Sequence, residues 1–196
     1  KCISFRNSVA QLITQWHNPG NAKIKRTAAT TERTYPMNNT LVFIHGLESS
    51  AQGNKAQYFR GRFPALIIED YVGPFSERMR KLEQILTGRD HLVLVGSSYG
   101  GLMAAKFALH HEERVKKLIL IAPALILEGF EQACAKKLEM PVVLYHGTRD
   151  EVVDPHETQR IALQCFAHLE HHFVDDDHPL NEVFPTLDWG ALLNVS

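Results

Sequence analysis

The chain has 196 residues, 44% of them hydrophobic and 22% charged, with a formal net charge of −1. That length supports one sizeable core rather than two, and the composition is ordinary for a globular protein. Near-neutrality removes bulk charge as a reason to bind nucleic acid or an anionic membrane, and no apolar run is long enough to span a bilayer.

The charge is unevenly placed. Residues 1–36 carry Lys1, Arg6, Lys23, Lys25, Arg26 and Arg33 against Glu32 alone. This basic, Thr-rich stretch shows no sustained hydrophobic period and lacks the order of a secretory signal. It reads as a poorly patterned extension, with a targeting segment or a nucleic-acid-binding arm as the other readings. Met37 stands just before the first strong strand, so the folded domain is expected over residues 37–196. The cysteines, Cys2, Cys134 and Cys165, are odd in number and match no metal spacing, so free thiols in a reducing compartment, the cytoplasm, are expected.

From residue 41 strands and helices alternate. Leu41-Val42-Phe43-Ile44 is a short continuous apolar run, the pattern of a strand buried on both faces. His45-Gly46 opens a polar loop, and Ala56, Phe59 and Phe63 suit one face of a following helix. Ala65 to Ile68 reads as the second strand. Phe75, Met79, Leu82 and Leu86 recur at helical steps. Leu92 to Val95 is a third strand, and Gly101 to Leu109 a helix almost without a polar face. Leu118 to Ile121 and Val142 to Tyr145 are the next strands, separated by one helix over 127–138. A helix over 155–167, a strand over 171–174 and a final helix from Asn181 complete the pattern. Such alternation implies right-handed crossovers and a mostly parallel sheet covered on both faces, with the ligand site at the carboxyl ends of the strands.

The polar residues at those ends carry the chemistry. Gly96-Ser97-Ser98-Tyr99-Gly100 lies between a strand and a helix, where a strained turn thrusts the central serine out of the sheet. Ser98 is the candidate nucleophile, with the helix amino terminus favouring negative charge beside it. Ser97 is the rival, but it lacks a glycine two residues before it. A serine hydroxyl needs a base and the base an orienting acid. Asp150 follows the fifth strand in His146-Gly147-Thr148-Arg149-Asp150. Its neighbour Asp154 is better explained as a helix cap, because Asp154-Pro155-His156-Glu157 has a proline at the first helical position and a glutamate at the third. Glu128 is a remoter candidate acid. His178, in the loop after the last strand, is the candidate base among eleven histidines. The aspartates 175–177 before it read as a solvated loop, since their spacing matches no calcium loop. The Leu47 and Tyr99 N–H groups are the expected oxyanion donors, and His45 is expected to hold its own turn. No metal or cofactor is expected.

Phe43-Ile44-His45-Gly46, the Ser98 pentapeptide with Gly101, His146 to Asp150, and Asp177-His178 together resemble the α/β-hydrolase superfamily, over roughly residues 38–196. Within it the chain is similar to small bacterial esterase and thioesterase-like members. The resemblance implies a three-layer α/β-hydrolase fold with a mostly parallel sheet of about six strands. It also implies a Ser98–Asp150–His178 triad, an oxyanion hole at Leu47 and Tyr99, and a small-molecule ester as substrate. Two departures stand out. No antiparallel strands are evident before residue 41, and the stretch from Ala124 to Met140 leaves room for a minimal cap. An open site follows, with Tyr71, Phe75, Leu125 and Phe130 as expected lining residues. Thioester, lipid, polyester and carbon–carbon substrates use the same machinery. A non-catalytic binding protein on this fold is the reading from another class, and the complete set of serine, acid, histidine and glycines argues against it.

Overall fold

The computed structural model describes residues 39–194. The expected extension over 1–36 lies outside the described residues. Six parallel strands form one sheet: β1 (Thr40–Ile44), β2 (Ile67–Ile68), β3 (Leu92–Ser97), β4 (Val115–Ile121), β5 (Leu138–Gly147) and β6 (Phe166–Val174). Their order across the sheet is β2-β1-β3-β4-β5-β6. The helices are α1 (Asn54–Arg62), α2 (Phe75–Leu86), α3 (Tyr99–His110), α4 (Phe130–Ala133), α5 (Pro155–Cys165) and α6 (Trp189–Leu192).

The continuous apolar runs divide between two faces by simple alternation. Val42, Ile44, Leu92, Leu94, Leu118, Leu120, Val142 and Leu144 face one core, shared with α2, α3, α4 and α5. Leu41, Phe43, Val93, Val95, Ile119 and Ile121 face the other, against Phe59 of α1 and Phe184 and Trp189 near the carboxyl end. Right-handed crossovers produce this split: the chain winds one way from β1 to β2 and the other way from β2 onward, so α1 falls on the face opposite α2 to α5. The reversal sits between β1 and β3. Their carboxyl ends border a crevice, the usual place for a ligand in such a sheet.

Several boundaries depart from the sequence reading. β2 shortens to two residues. The helix expected over 127–138 contracts to the four residues of α4, because Leu138 and Met140 alternate inward and extend β5 backward. Pro141 is tolerated in β5 because it is exposed and pairing with β4 starts only at Val142. β6 begins at Phe166, five residues earlier than expected, and α5 ends correspondingly early. As an edge strand β6 is half-exposed, so it carries no apolar run to read. The final helix from Asn181 is instead a 3₁₀ turn over Phe184–Thr186 followed by the short α6.

Candidate active site

The turn after β3 is held in a conformation most residues avoid. Ser98 has φ 54° and ψ −117°, a region that costs a non-glycine residue of order 1–3 kcal/mol. The surroundings impose it. The Ser98 N–H donates to Ile121 O at 2.8 Å, and its carbonyl accepts from Gly101, Leu102 and Ala124. A Cβ on Gly96 would stand 2.5 Å from Gly100 O, and one on Gly100 would stand 2.6 Å from His45 O. The turn therefore closes only with glycines on both sides.

The ends of β5 and β6 supply the partners. His178 Nε2 lies 2.9 Å from Ser98 Oγ, and its Nδ1 lies 2.7 Å from Asp150 Oδ2. An ionised carboxylate only accepts, so the proton sits on Nδ1 and Nε2 accepts from the serine hydroxyl. Asp150 Oδ1 accepts from the Val152 and Val153 N–H groups, each at 2.9 Å. Burial pushes the Asp150 carboxyl up. The hydrogen bonds from Val153, His178 and Val152 outweigh that and hold it below the ordinary range. A buried Asp176 ties the two loops together. Its carboxylate accepts from the Asp177, Glu182 and Val183 N–H groups, and its carbonyl accepts from Arg149 N at 3.0 Å. The expectation that residues 175–177 form a merely solvated loop is thus corrected for Asp176, which is 2% exposed. Buried backbone donors there need an acceptor, and the carboxylate supplies it.

The loop after β1 lies against the serine: a Cβ on Gly46 would stand 3.3 Å from Ser98 Cβ. Among the described residues neither the Leu47 nor the Tyr99 N–H has an acceptor, and Tyr99 opens α3, where amides are free by construction. His45 accepts from Tyr71 N–H at Nε2 and donates from Nδ1 to Gly46 O at 2.7 Å, so it holds this loop. Burial pushes its pKa down, against the opposing pull of the Gly46 carbonyl and Asp70. Arg78 of α2, also buried, donates to Gly73 O and Leu47 O.

A model of the alpha/beta hydrolase fold matches residues 48–133. The chain has the alpha/beta hydrolase fold. It superposes on mouse alpha/beta hydrolase domain-containing protein 10 with a TM-score of 0.64 at 20% identity, covering 77% of this chain and 86% of that one. It superposes on a monoacylglycerol lipase from Paleococcus ferrophilus with a TM-score of 0.62 at 15% identity, covering 78% and 93%. A sequence match to a "Probable 1-acylglycerol-3-phosphate O-acyltransferase" of Oryza sativa subsp. japonica is 44% identical over 54 residues. That match spans 28% of this chain and only 12% of the rice protein.

Within the alpha/beta hydrolase fold, Ser98, His178, Leu47 and Tyr99 border one open cavity of about 510 Å³. Of the four expected lining residues, none borders it. Tyr71, Leu125 and Phe130 are fully buried in the core beneath α2 and α3, and half-buried Phe75 packs its ring edge-on against Tyr99. They were apolar enough to pack, and the core took them. Ile126, Leu127, Val152 and Val153 form the apolar wall instead, with Asn54, Lys55 and Asn181 as a polar border. Ser97 ends β3 and borders the cavity, but no hydrogen bond joins it to a described histidine. Asp154 caps α5, accepting from His156 and Glu157 N–H, and Glu128 accepts from the Tyr99 hydroxyl at 2.7 Å. His146, Arg78, Asp176 and Lys55 were missed. A signal existed for His146 alone, since both β1 and β5 end in an apolar run followed by His-Gly. Among the described residues no helix is long and apolar enough to cross a membrane.

Proposed function

We propose that the protein is a serine hydrolase that cleaves carboxylic esters by acyl transfer from Ser98 to water. The observation that carries this reading is the unbroken relay from Asp150 Oδ2 through both nitrogens of His178 to Ser98 Oγ, opening on a cavity with two free amides.

Each residue then has a defined task. His178 Nε2 takes the hydroxyl proton as Ser98 Oγ forms a bond to the ester carbonyl carbon. The carbonyl oxygen becomes an oxyanion and accepts from the Leu47 and Tyr99 N–H groups. The tetrahedral species collapses, the bond to the leaving alcohol breaks, and His178 gives that oxygen its proton. Water then attacks the acyl-serine, His178 takes its proton, and the acid is released as Ser98 recovers its own. Asp150 stays ionised throughout and fixes the tautomer. The α3 amino terminus adds a positive potential where the oxyanion forms.

Shape supports the substrate class. The cavity volume is that of an ordinary small-molecule site, and the wall of Ile126, Leu127, Val152 and Val153 suits an apolar acyl group. With α4 only four residues long, little covers it, so water reaches the acyl-enzyme readily. The test is turnover of a p-nitrophenyl ester series by wild type and Ser98→Ala. The variant is expected to lose about 1,000-fold or more of kcat. Wild-type turnover by Ser98→Ala, or a fluorophosphonate that labels Ser97 in place of Ser98, overturns the reading.

A further inference from the structure

A second histidine reaches the acid from behind. His146 is fully buried at the end of β5, and its Nε2 stands 2.8 Å from Asp150 Oδ2, the oxygen that His178 Nδ1 also approaches. The same Nε2 is 3.2 Å from Val153 O. Both neighbours are acceptors, so Nε2 must carry the proton. The other nitrogen, Nδ1, is then a bare lone pair, buried and without a donor. Leaving such an acceptor unpaired is unfavourable, and an apolar residue of similar size would avoid it. Packing alone therefore does not account for a histidine here.

We propose that His146 is a positioning residue for the hydrolytic site, pinning Asp150 Oδ2 toward His178 and sharing that oxygen's charge, so that it sets both the orientation and the basicity of the His178 imidazole. With His146 in place all the acceptor positions of Asp150 are filled: two amides on Oδ1 and two imidazoles on Oδ2. The carboxylate cannot turn without breaking one of them. Its negative charge is also divided, so His178 feels less of it than a singly bonded aspartate would give.

The groups that face His146 are few. Asp150 and Asp154 lie on the segment from β5 to α5, His171 on β6, and His178 beyond β6. Burial pushes the His146 pKa below its ordinary value, against the upward pull of Asp150 and the Val153 carbonyl. It therefore donates as a neutral ring at neutral pH. Removing that donor leaves more of the Oδ2 charge facing His178, which stabilises the imidazolium formed when it takes the serine proton.

The proposal rests on the triad reading, and the experiment separates the two. In the full chain, His146→Met removes the donor at similar volume and His146→Gln restores an N–H. For His146→Met, kcat is expected to fall about tenfold with KM within about twofold, and the acid limb of kcat/KM to move up by about half a pH unit. His146→Gln is expected to recover most of both. A folded His146→Met with wild-type kcat and acid limb overturns the proposal, as do Met and Gln variants equally impaired with an unmoved limb. Should neither variant melt cooperatively, ring-¹⁵N histidine spectra of the wild type decide. His146 must be the neutral Nε2–H tautomer above about pH 7, and any other form there overturns the assignment. Failure of Ser98 to react with a fluorophosphonate in the wild type sinks the triad reading itself, whatever the His146 variants do.

Discussion

The two halves of the site are built by different physics. At the ends of β1 and β3 the nucleophile is placed by close approach: backbone stands where side chains would be, and Ser98 is bent into a positive φ by its neighbours. At the ends of β5 and β6 the acid and base are placed by charge. Asp150, Asp154 and Asp176 each turn a carboxylate back onto backbone amides and so hold the turn after β5, the start of α5 and the loop after β6. The first half fails when volume is added. The second fails when an acceptor is removed or protonated.

The largest expected effect breaks the first half. In Gly100→Ala the new Cβ would overlap the carbonyl oxygens of Ile44 and His45, both backbone atoms that cannot rotate away. A cost above about 3 kcal/mol is expected, enough to lose soluble folded protein, read as the absence of a cooperative melt. Gly61→Ala is the matched control. That glycine is in α1 with open space around its Cβ position, and the substitution is expected to stabilise by up to about 1 kcal/mol. Equal behaviour of the two variants would mean that close approach does not define the turn.

The second half is probed by Asp176→Ala, which leaves three loop amides without their acceptor. A loss of about 2–3 kcal/mol is expected in urea unfolding. A fall in kcat should accompany it, because His178 lies two residues on. Asp176→Asn keeps one acceptor oxygen and should fall between the two. An unchanged urea midpoint in Asp176→Ala would show that the loop is held by something other than charge.

This contrast explains what the sequence made legible. Steric demands leave a compositional trace: the glycines around Ser98 and the paired apolar runs of β1, β3 and β4 were read directly, because a parallel strand buried on both faces has few other ways to be written. The Asp154 cap was legible too, since helix starts have a fixed grammar. Charge-held loops leave less. Nothing in Asp175-Asp176-Asp177 marks the middle carboxylate as the buried one, because its donors at Glu182 and Val183 are set by tertiary folding. The half-exposed edge strand β6 and the backward extension of β5 escaped for a similar reason: their residues answer to neighbours, not to a period. The cavity wall was the least legible part, as Ile126 and Val152 are apolar and exposed while Tyr71 and Phe130 are apolar and buried. Composition does not distinguish the two.

Acid should weaken the second half in two stages. Burial, with smaller pushes from His146, His172 and His156, lowers His171 of β6 from an ordinary 6.5 to about 4. A group depressed in this way is neutral in the fold and charged in the unfolded chain over that interval. Its contribution to stability is therefore present above about pH 6.5 and lost as pH falls toward about 4. The depressed carboxylates Asp150, Asp154 and Asp176 are lost only below the ordinary carboxylate range. The melting temperature is expected to decline between pH 6.5 and 4, and His171→Gln to make that decline shallower, the depressed His45 and His146 supplying the rest. A melting curve that is flat to pH 4 and then collapses would assign acid sensitivity to the carboxylates only.

The smallest expected effect is also the one that separates the two neighbouring acids. Asp154→Ala removes the acceptor for two amides at the exposed start of α5, at a cost of about 1 kcal/mol. Because Asp154 makes no contact with His178 while Asp150 Oδ2 stands 2.7 Å from its ring, kcat should stay within about twofold of wild type. A modest drop in melting temperature with turnover intact places Asp154 among the structural carboxylates. A collapse of turnover at unchanged stability would instead move the orienting acid from Asp150 to Asp154, and would take with it the shared oxygen on which the role of His146 depends.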